Sequence, residues 1–138
     1  MKTSLVPREH IPVVWDSIKE YAEGCAKYTY GRFTAEDMLK GLLTKDQQLW
    51  IAFDDISIHA FWVTEVIEYP QIKTLVMHFV GGKDIEKWQT IGLSQLQKFA
   101  RDRGCSKIES YGRPGWEKIW KGQGYVKRLV FYELPVEN

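Results

Sequence analysis

LVMHFVGGKDIEKWQTIGLSQLQKFARDRGCSKIESY, from Leu75 to Tyr111, decides the fold. The first six residues are aromatic, β-branched or long apolar side chains apart from His78, and they read as a strand that stops at Gly81-Gly82. From Asp84 onward, Ile85, Trp88, Gly92, Leu96, Phe99 and Ala100 recur at helical spacing. Asp84 is the expected N-cap and Gly104 the expected stop. Residues 106–111 then read as a second strand. A β-α-β unit of this length predicts two parallel strands joined by a right-handed crossover. A strand that ends in glycines and feeds a helix also aims unpaired first-turn N–H groups at one spot. The helix dipole is positive there, so an anion is favoured.

Working outward, Arg113-Pro114-Gly115 reads as a break, residues 116–121 as a short helix ended by Gly122 and Gly124, and residues 125–134 (YVKRLVFYEL) as a final strand. Upstream, residues 1–9 should hold a short first strand. A helix should follow over residues 11–23, with Pro12 in its first turn and Gly24 at its end. Its face is Val14, Ile18, Tyr21, Ala22 and Cys25. Residues 27–33 (KYTYGRF) form an aromatic, basic loop hinged at Gly31, which suits either a binding groove or packing on its own domain. Thr34 should cap a second helix, with Asp37 completing a near capping box and Met38, Leu39, Leu42 and Leu43 buried. Three strands in a meander follow, over residues 48–53, 57–67 and 72–80, turning at Asp54-Asp55 and Tyr69-Pro70-Gln71. The order is β-α-α-β-β-β-α-β-α-β.

At 138 residues the chain is expected to be one domain spanning 1–138. A net charge of +1 gives no global pull on nucleic acid or membrane. Residues 98–128 carry nine Lys/Arg against three Asp/Glu, which reads as a solvated basic face or as a contact for a phosphate-bearing partner. No nucleic-acid motif accompanies it, so no nucleic-acid partner is expected. No stretch approaches a membrane span and no signal sequence is visible, so a cytoplasmic protein is expected, in a bacterium or a phage-infected host. Cys25 and Cys105 lie far apart without metal spacing, and no metal site is expected.

The element order, together with the local sequence ARDRGCSKIESYG … WEKIWKGQGYVKRLVFYEL, resembles the GNAT superfamily of acyl-CoA-dependent N-acyltransferases. Element order carries the resemblance over most of the chain, and residue-level similarity over roughly the last third. It implies an α/β (α+β) fold: a mixed, mostly antiparallel twisted sheet with a central β-α-β unit and helices on both faces. In such folds acetyl-CoA lies where the central strand parts from its parallel neighbour. By that resemblance Phe79 and Val80 would meet the thioester, and Gly81, Gly82 and Lys83 would hold the pyrophosphate. A base must take the proton of an acceptor amine, and an acid must protonate the leaving thiolate.

This sequence departs from the family pattern at three points. The family's pyrophosphate loop is Gln/Arg-x-x-Gly-x-Gly/Ala. Here Gly81-Gly82 come early, Trp88 stands near an expected small residue, and Asp84 and Glu86 would repel a phosphate. Trp120 replaces the tyrosine often used as acid, which leaves Tyr111 and Tyr125 as candidates or as plain core and rim aromatics. For the base, a two-residue turn at Tyr69-Pro70 would set His78 beside His59 on one sheet face, as a proton relay or as two structural histidines. Glu65 and Glu68 are alternative bases through water. Small tailed-phage proteins are similar in keeping the fold without the glycine-rich loop. Two functions therefore stand: an N-acetyltransferase acting on an unknown amine, or an inactive GNAT-fold structural or interaction protein with a protein partner or a homodimer. A phosphate or nucleic-acid binder using the basic stretch is the third.

Overall fold

The computed structural model describes residues 1–112 and 114–137; Arg113, part of the expected break, lies outside them. The elements are β1 (Lys2–Leu5), a 3-10 turn (Arg8–His10), α1 (Ile11–Ala26), α2 (Ala35–Thr44), β2 (Gln47–Phe53), β3 (Ile58–Glu68), β4 (Lys73–Gly82), α3 (Ile85–Asp102), β5 (Lys107–Ser110), a second 3-10 turn (Pro114–Trp116) and α4 (Glu117–Gly122). The strands form one sheet in the order β1-β2-β3-β4-β5. All neighbours are antiparallel except β4 and β5, which are parallel as the β-α-β unit requires.

Alternation along the central strands sorts side chains to two cores. Leu49, Phe61, Val63 and Phe79 face α1 and α2, where they meet Trp15, Ile18, Ala22, Met38 and Leu42. Trp50, Ala52, Ala60, Trp62 and Leu75 face α3 and meet Trp88, Leu96 and Ala100. On that side Trp62 and Trp88 stack at 4.8 Å between ring centroids. Gly92 lets the helix close on them, since a Cβ there would come within 3.3 Å of the Trp62 ring. A polar chain runs through the same sheet. Trp50 Nε1 donates to Thr64 Oγ1 at 2.9 Å, and Thr64 Oγ1 donates to Gln48 Oε1 at 2.8 Å, all buried.

Both helix starts near the N-terminus follow their sequence signals. Thr34 accepts from the Asp37 backbone N–H, and the Asp37 carboxylate accepts from the Thr34 N–H, completing the capping box. At the other end of α2, the Arg8 guanidinium donates to the Leu43 and Lys45 carbonyls. Leu43 itself is exposed, whereas Met38 and Leu42 are buried. α1 runs through Gly24 to Ala26. Its last turn packs on the sheet: a Cβ on Gly81 would lie 3.5 Å from Cys25 Cβ. Tertiary contact thus outweighs the weak helix propensity of one glycine.

The expected last strand is not formed. Residues 125–137 have no secondary structure, and no strand pairs with the outer edge of β5 among the described residues. The β-branched and aromatic residues give this segment a preference for extended chain, but a strand exists only where a neighbour supplies its hydrogen bonds.

Candidate active site

β4 and β5 pair from Thr74 opposite Lys107 to Met77 opposite Ser110. β5 then ends, while β4 runs on to Gly82. Among the described residues no strand pairs with the β5-facing backbone of residues 78–82, and a cavity of about 390 Å³ opens there. His78, Phe79, Val80, Gly81 and Gly82 form one wall. Tyr111, Gly112 and Trp116 form another, and Glu20, Tyr21, Lys27 and Tyr28 from α1 and its following loop close the third.

A bulge in β4 builds the corner at His78. Val63 pairs with Phe79 and Thr64 with Met77, so His78 is the extra residue. An extra residue reverses which face later side chains occupy. Phe79 therefore points to the α1 side although Leu75 and Met77 point to α3. His78 Nε2 lies 2.8 Å from Glu65 Oε1, which also accepts from Gln47 Nε2 at 3.1 Å. With Nε2 donating to the carboxylate, Nδ1 of the neutral ring is the proton acceptor.

The expected pairing of His59 with His78 does not occur. Glu68 pairs with Lys73 across a four-residue connection, and the bulge shifts the register once more. His59 instead lies at the Gly82 end, where its carbonyl accepts from Lys83 N–H at 2.8 Å. Its buried ring is held between two carboxylates, Nε2 at 2.6 Å from Asp54 and Nδ1 at 2.6 Å from Asp84. Hydrogen bonds to Asp84 and then Asp54 raise the His59 pKa. Backbone N–H groups of Ser57 and Ile56, with His59, hold Asp54 down to about 2, and the bond to His59 lowers Asp84. A strand histidine and two turn aspartates carry no spacing signal, so sequence reasoning missed this cluster.

The cluster changes what α3 offers. Asp84 occupies the N-cap position but adopts a left-handed backbone (φ 59°) and makes no capping bond. His59 has its carboxylate instead, so the first-turn N–H groups of α3 lack the expected side-chain cap. Trp88 is no obstacle, because it turns inward onto Trp62 and donates Nε1 to the Lys83 carbonyl at 2.9 Å.

The cofactor-site expectations divide. Phe79, Val80, Gly81 and Gly82 line the cavity, whereas Lys83 does not, and its backbone N–H is already committed to His59. The two glycines have internal reasons to be glycine. A Cβ on Gly81 would lie 2.9 Å from the Phe61 ring and 3.0 Å from the Tyr21 carbonyl. A Cβ on Gly82 (φ 123°) would lie 2.4 Å from the His59 carbonyl oxygen. An acyl-pantetheine arm would lie in the cavity beside the strand backbone of residues 78–82, and a pyrophosphate would fall to the α3 terminus, which has no side-chain cap. The residues present thus fit an acyl-CoA, with the glycines not counted among its ligands.

Of the two acid candidates, Tyr111 lines the cavity, and partial burial raises its hydroxyl pKa. Tyr125 does not line it. It belongs to a separate cavity of about 30 Å³ between α3 and α4, where its hydroxyl accepts from Ser110 Oγ at 3.3 Å. Trp120 shares that small cavity, locked over Gly112, where any Cβ would lie 2.3 Å from the indole. Burial raises the Cys105 thiol, which makes it a poor nucleophile. Among the described residues no three His, Cys, Asp or Glu side chains are grouped to hold a metal ion, and no helix is long and apolar enough to cross a membrane.

No protein-family profile matches the chain, and no curated protein matches it in sequence. Solved structures do match. A probable acetyltransferase superposes with a TM-score of 0.69 at 15% identity, covering 100% of this chain and 99% of its own. A putative acetyl transferase from Pyrococcus furiosus gives 0.69 at 18%, covering 98% and 100%. The aminoglycoside N-acetyltransferase AAC(6')-Iy, solved with CoA, gives 0.66 at 13%, covering 98% and 95%. The chain has the GNAT fold. At these identities the likeness speaks for the fold, and activity rests on the site.

Proposed function

We propose that this GNAT-fold chain is an acyl-CoA-dependent N-acetyltransferase acting on a small amine. The observation that carries the reading is the cavity at the β4–β5 parting, with His78 on its wall and Glu65 bound to the His78 ring. Acetyl-CoA would supply the activated thioester. The backbone of Phe79 and Val80 would bind along its arm, as an added strand binds an open sheet edge. Lys83 and Lys87 would offset the carboxylates near the α3 terminus. His78 Nδ1 would take the proton of the attacking amine, with Glu65 holding Nε2–H and stabilising the imidazolium. Tyr111 Oη would return a proton to the departing sulfur. Glu20, Tyr28 and Trp116, which line the same cavity, would face the acceptor.

Thermal melts with acetyl-CoA, free CoA and desulfo-CoA test the cofactor. A ligand at 100 times Kd adds about 2.7 kcal/mol, a plain upward shift. No shift with any of the three at millimolar concentration refutes the reading. It would favour the second one, an interaction protein that keeps the fold without the chemistry. That reading is supported by Gly81 and Gly82 being spent on internal packing and by Trp120 at the usual acid position.

A further inference from the structure

A glycine inside a helix weakens it relative to alanine, so Gly41 in α2 calls for a reason. Its backbone is not left-handed, so conformation does not require it. What stands against it is the Gln47 side chain. A Cβ on Gly41 would lie 2.8 Å from Gln47 Oε1 and 3.5 Å from Gln47 Cδ. The missing Cβ is the space in which the Gln47 amide sits.

From that seat the amide starts a line of contacts across three strands. Gln47 on β2 stands opposite Glu65 on β3. Its Nε2 donates to Glu65 Oε1 at 3.1 Å, and the same oxygen lies 2.8 Å from Nε2 of His78 on β4. A carboxylate only accepts, so the amide turns its NH2 to Glu65 and its oxygen to α2. The Glu65 and His78 side chains are only 23% and 28% exposed, so these bonds, more than water, orient them. His78 Nδ1 has no hydrogen-bond partner among the described residues, and the residue lines the cavity.

We propose that Gln47 and Gly41 are positioning residues for the base: Gly41 leaves room for the Gln47 amide, Gln47 holds the Glu65 carboxylate on His78, and Glu65 keeps the ring proton on Nε2. The proposal rests on the acyltransfer reading. With the proton held at Nε2, the lone pair of Nδ1 is open to the cavity. It takes the proton of the attacking amine, the ring becomes an imidazolium, and Nε2–H stays on Glu65. Without the amide, Glu65 Oε1 loses one of its two donors and the carboxylate is free to rotate off the ring. The proton then divides between the two ring nitrogens, and a ring protonated at Nδ1 cannot serve as the base.

Two substitutions separate positioning from packing. Gln47→Met keeps the length of the side chain and removes its donor. Gly41→Ala puts a methyl where the amide oxygen lies. That oxygen is the far end of a flexible side chain, so the amide moves and the fold stays. The Tm of Gly41→Ala should hold or rise by up to about 4 °C, because alanine favours the helix. Nitrogen-15 NMR of the neutral imidazoles, with the His78 signals identified by their loss in His78→Gln, should show His78 protonated at Nε2 in the wild type. Both variants should show a mixture of the two tautomers. With acetyl-CoA and a panel of primary alkylamines, both should lose about 10–100-fold in kcat, as for one hydrogen bond to a charged group, with KM for acetyl-CoA unchanged. The wild-type tautomer persisting in both variants overturns the proposal. So does a Gly41→Ala protein that melts well below the wild type, since the glycine would then serve packing alone. The spectra are recorded without cofactor. A retained tautomer therefore sinks the positioning proposal by itself, whereas an absent melt shift with acetyl-CoA sinks the acyltransfer reading and the proposal with it.

Discussion

Gly82→Ala separates the two roles a glycine can play in this fold. If Gly82 exists to let a phosphate approach, alanine there should leave stability alone and abolish cofactor binding. The geometry argues the opposite. The added Cβ would lie 2.4 Å from the His59 carbonyl oxygen and 2.5 Å from Ala60 Cα, both backbone atoms of a central strand that cannot swing aside. The φ of 123° adds a strain of about 1–3 kcal/mol for any residue with a side chain. Forcing the strand to shift adds roughly another 1–3 kcal/mol. Together these are about 2–6 kcal/mol of a total of roughly 5–15 kcal/mol. At about 4 °C per kcal/mol for a chain of this size, Tm should fall by roughly 8–24 °C. The assay is a thermal melt by circular dichroism, with and without acetyl-CoA. An unchanged Tm combined with a lost acetyl-CoA shift would refute the packing argument and restore Gly82 to the cofactor site.

Three further outcomes follow from the same contacts. Thr64→Val keeps the shape but strands Trp50 Nε1 and Gln48 Oε1 without partners, so urea unfolding should show a loss of about 2–5 kcal/mol; a loss under half a kcal/mol would mean water replaces the hydroxyl. The Asp54–His59–Asp84 cluster predicts a stability plateau in mild acid. The His59 pKa is raised, so its contribution is complete below the ordinary 6.5 and disappears as pH rises through the higher folded value. The aspartate pKa values are lowered, so theirs is complete above 3.8 and is lost as pH falls, toward about 2 for Asp54. His59→Gln should flatten the alkaline limb of a Tm-versus-pH curve; an unaltered limb would remove His59 as its cause. Once an acceptor amine is found, His78→Ala should lower kcat by about 10²–10⁴ with KM for acetyl-CoA unchanged, and Glu65→Gln should lower it less. Full activity in His78→Ala would transfer the base role elsewhere.

The sequence by itself determined what is local. Strand and helix periods, the Thr34–Asp37 cap, and a β-α-β unit whose length forces parallel strands were legible because neighbours three to five residues apart decide them. Element order was enough to point to the GNAT fold. Tertiary structure decided the rest, since each remaining feature depends on partners far apart in the chain. The bulge at His78 and the four-residue connection after Glu68 set a register one turn assumption had missed, which separated His59 from His78 and gave each its own carboxylates. Lys83 lost its N–H to a strand carbonyl, and Tyr125 went to the small cavity between α3 and α4. The last segment had the side chains of a strand but pairs with no edge among the described residues, because strand propensity is a property of residues and pairing is a property of the assembled sheet.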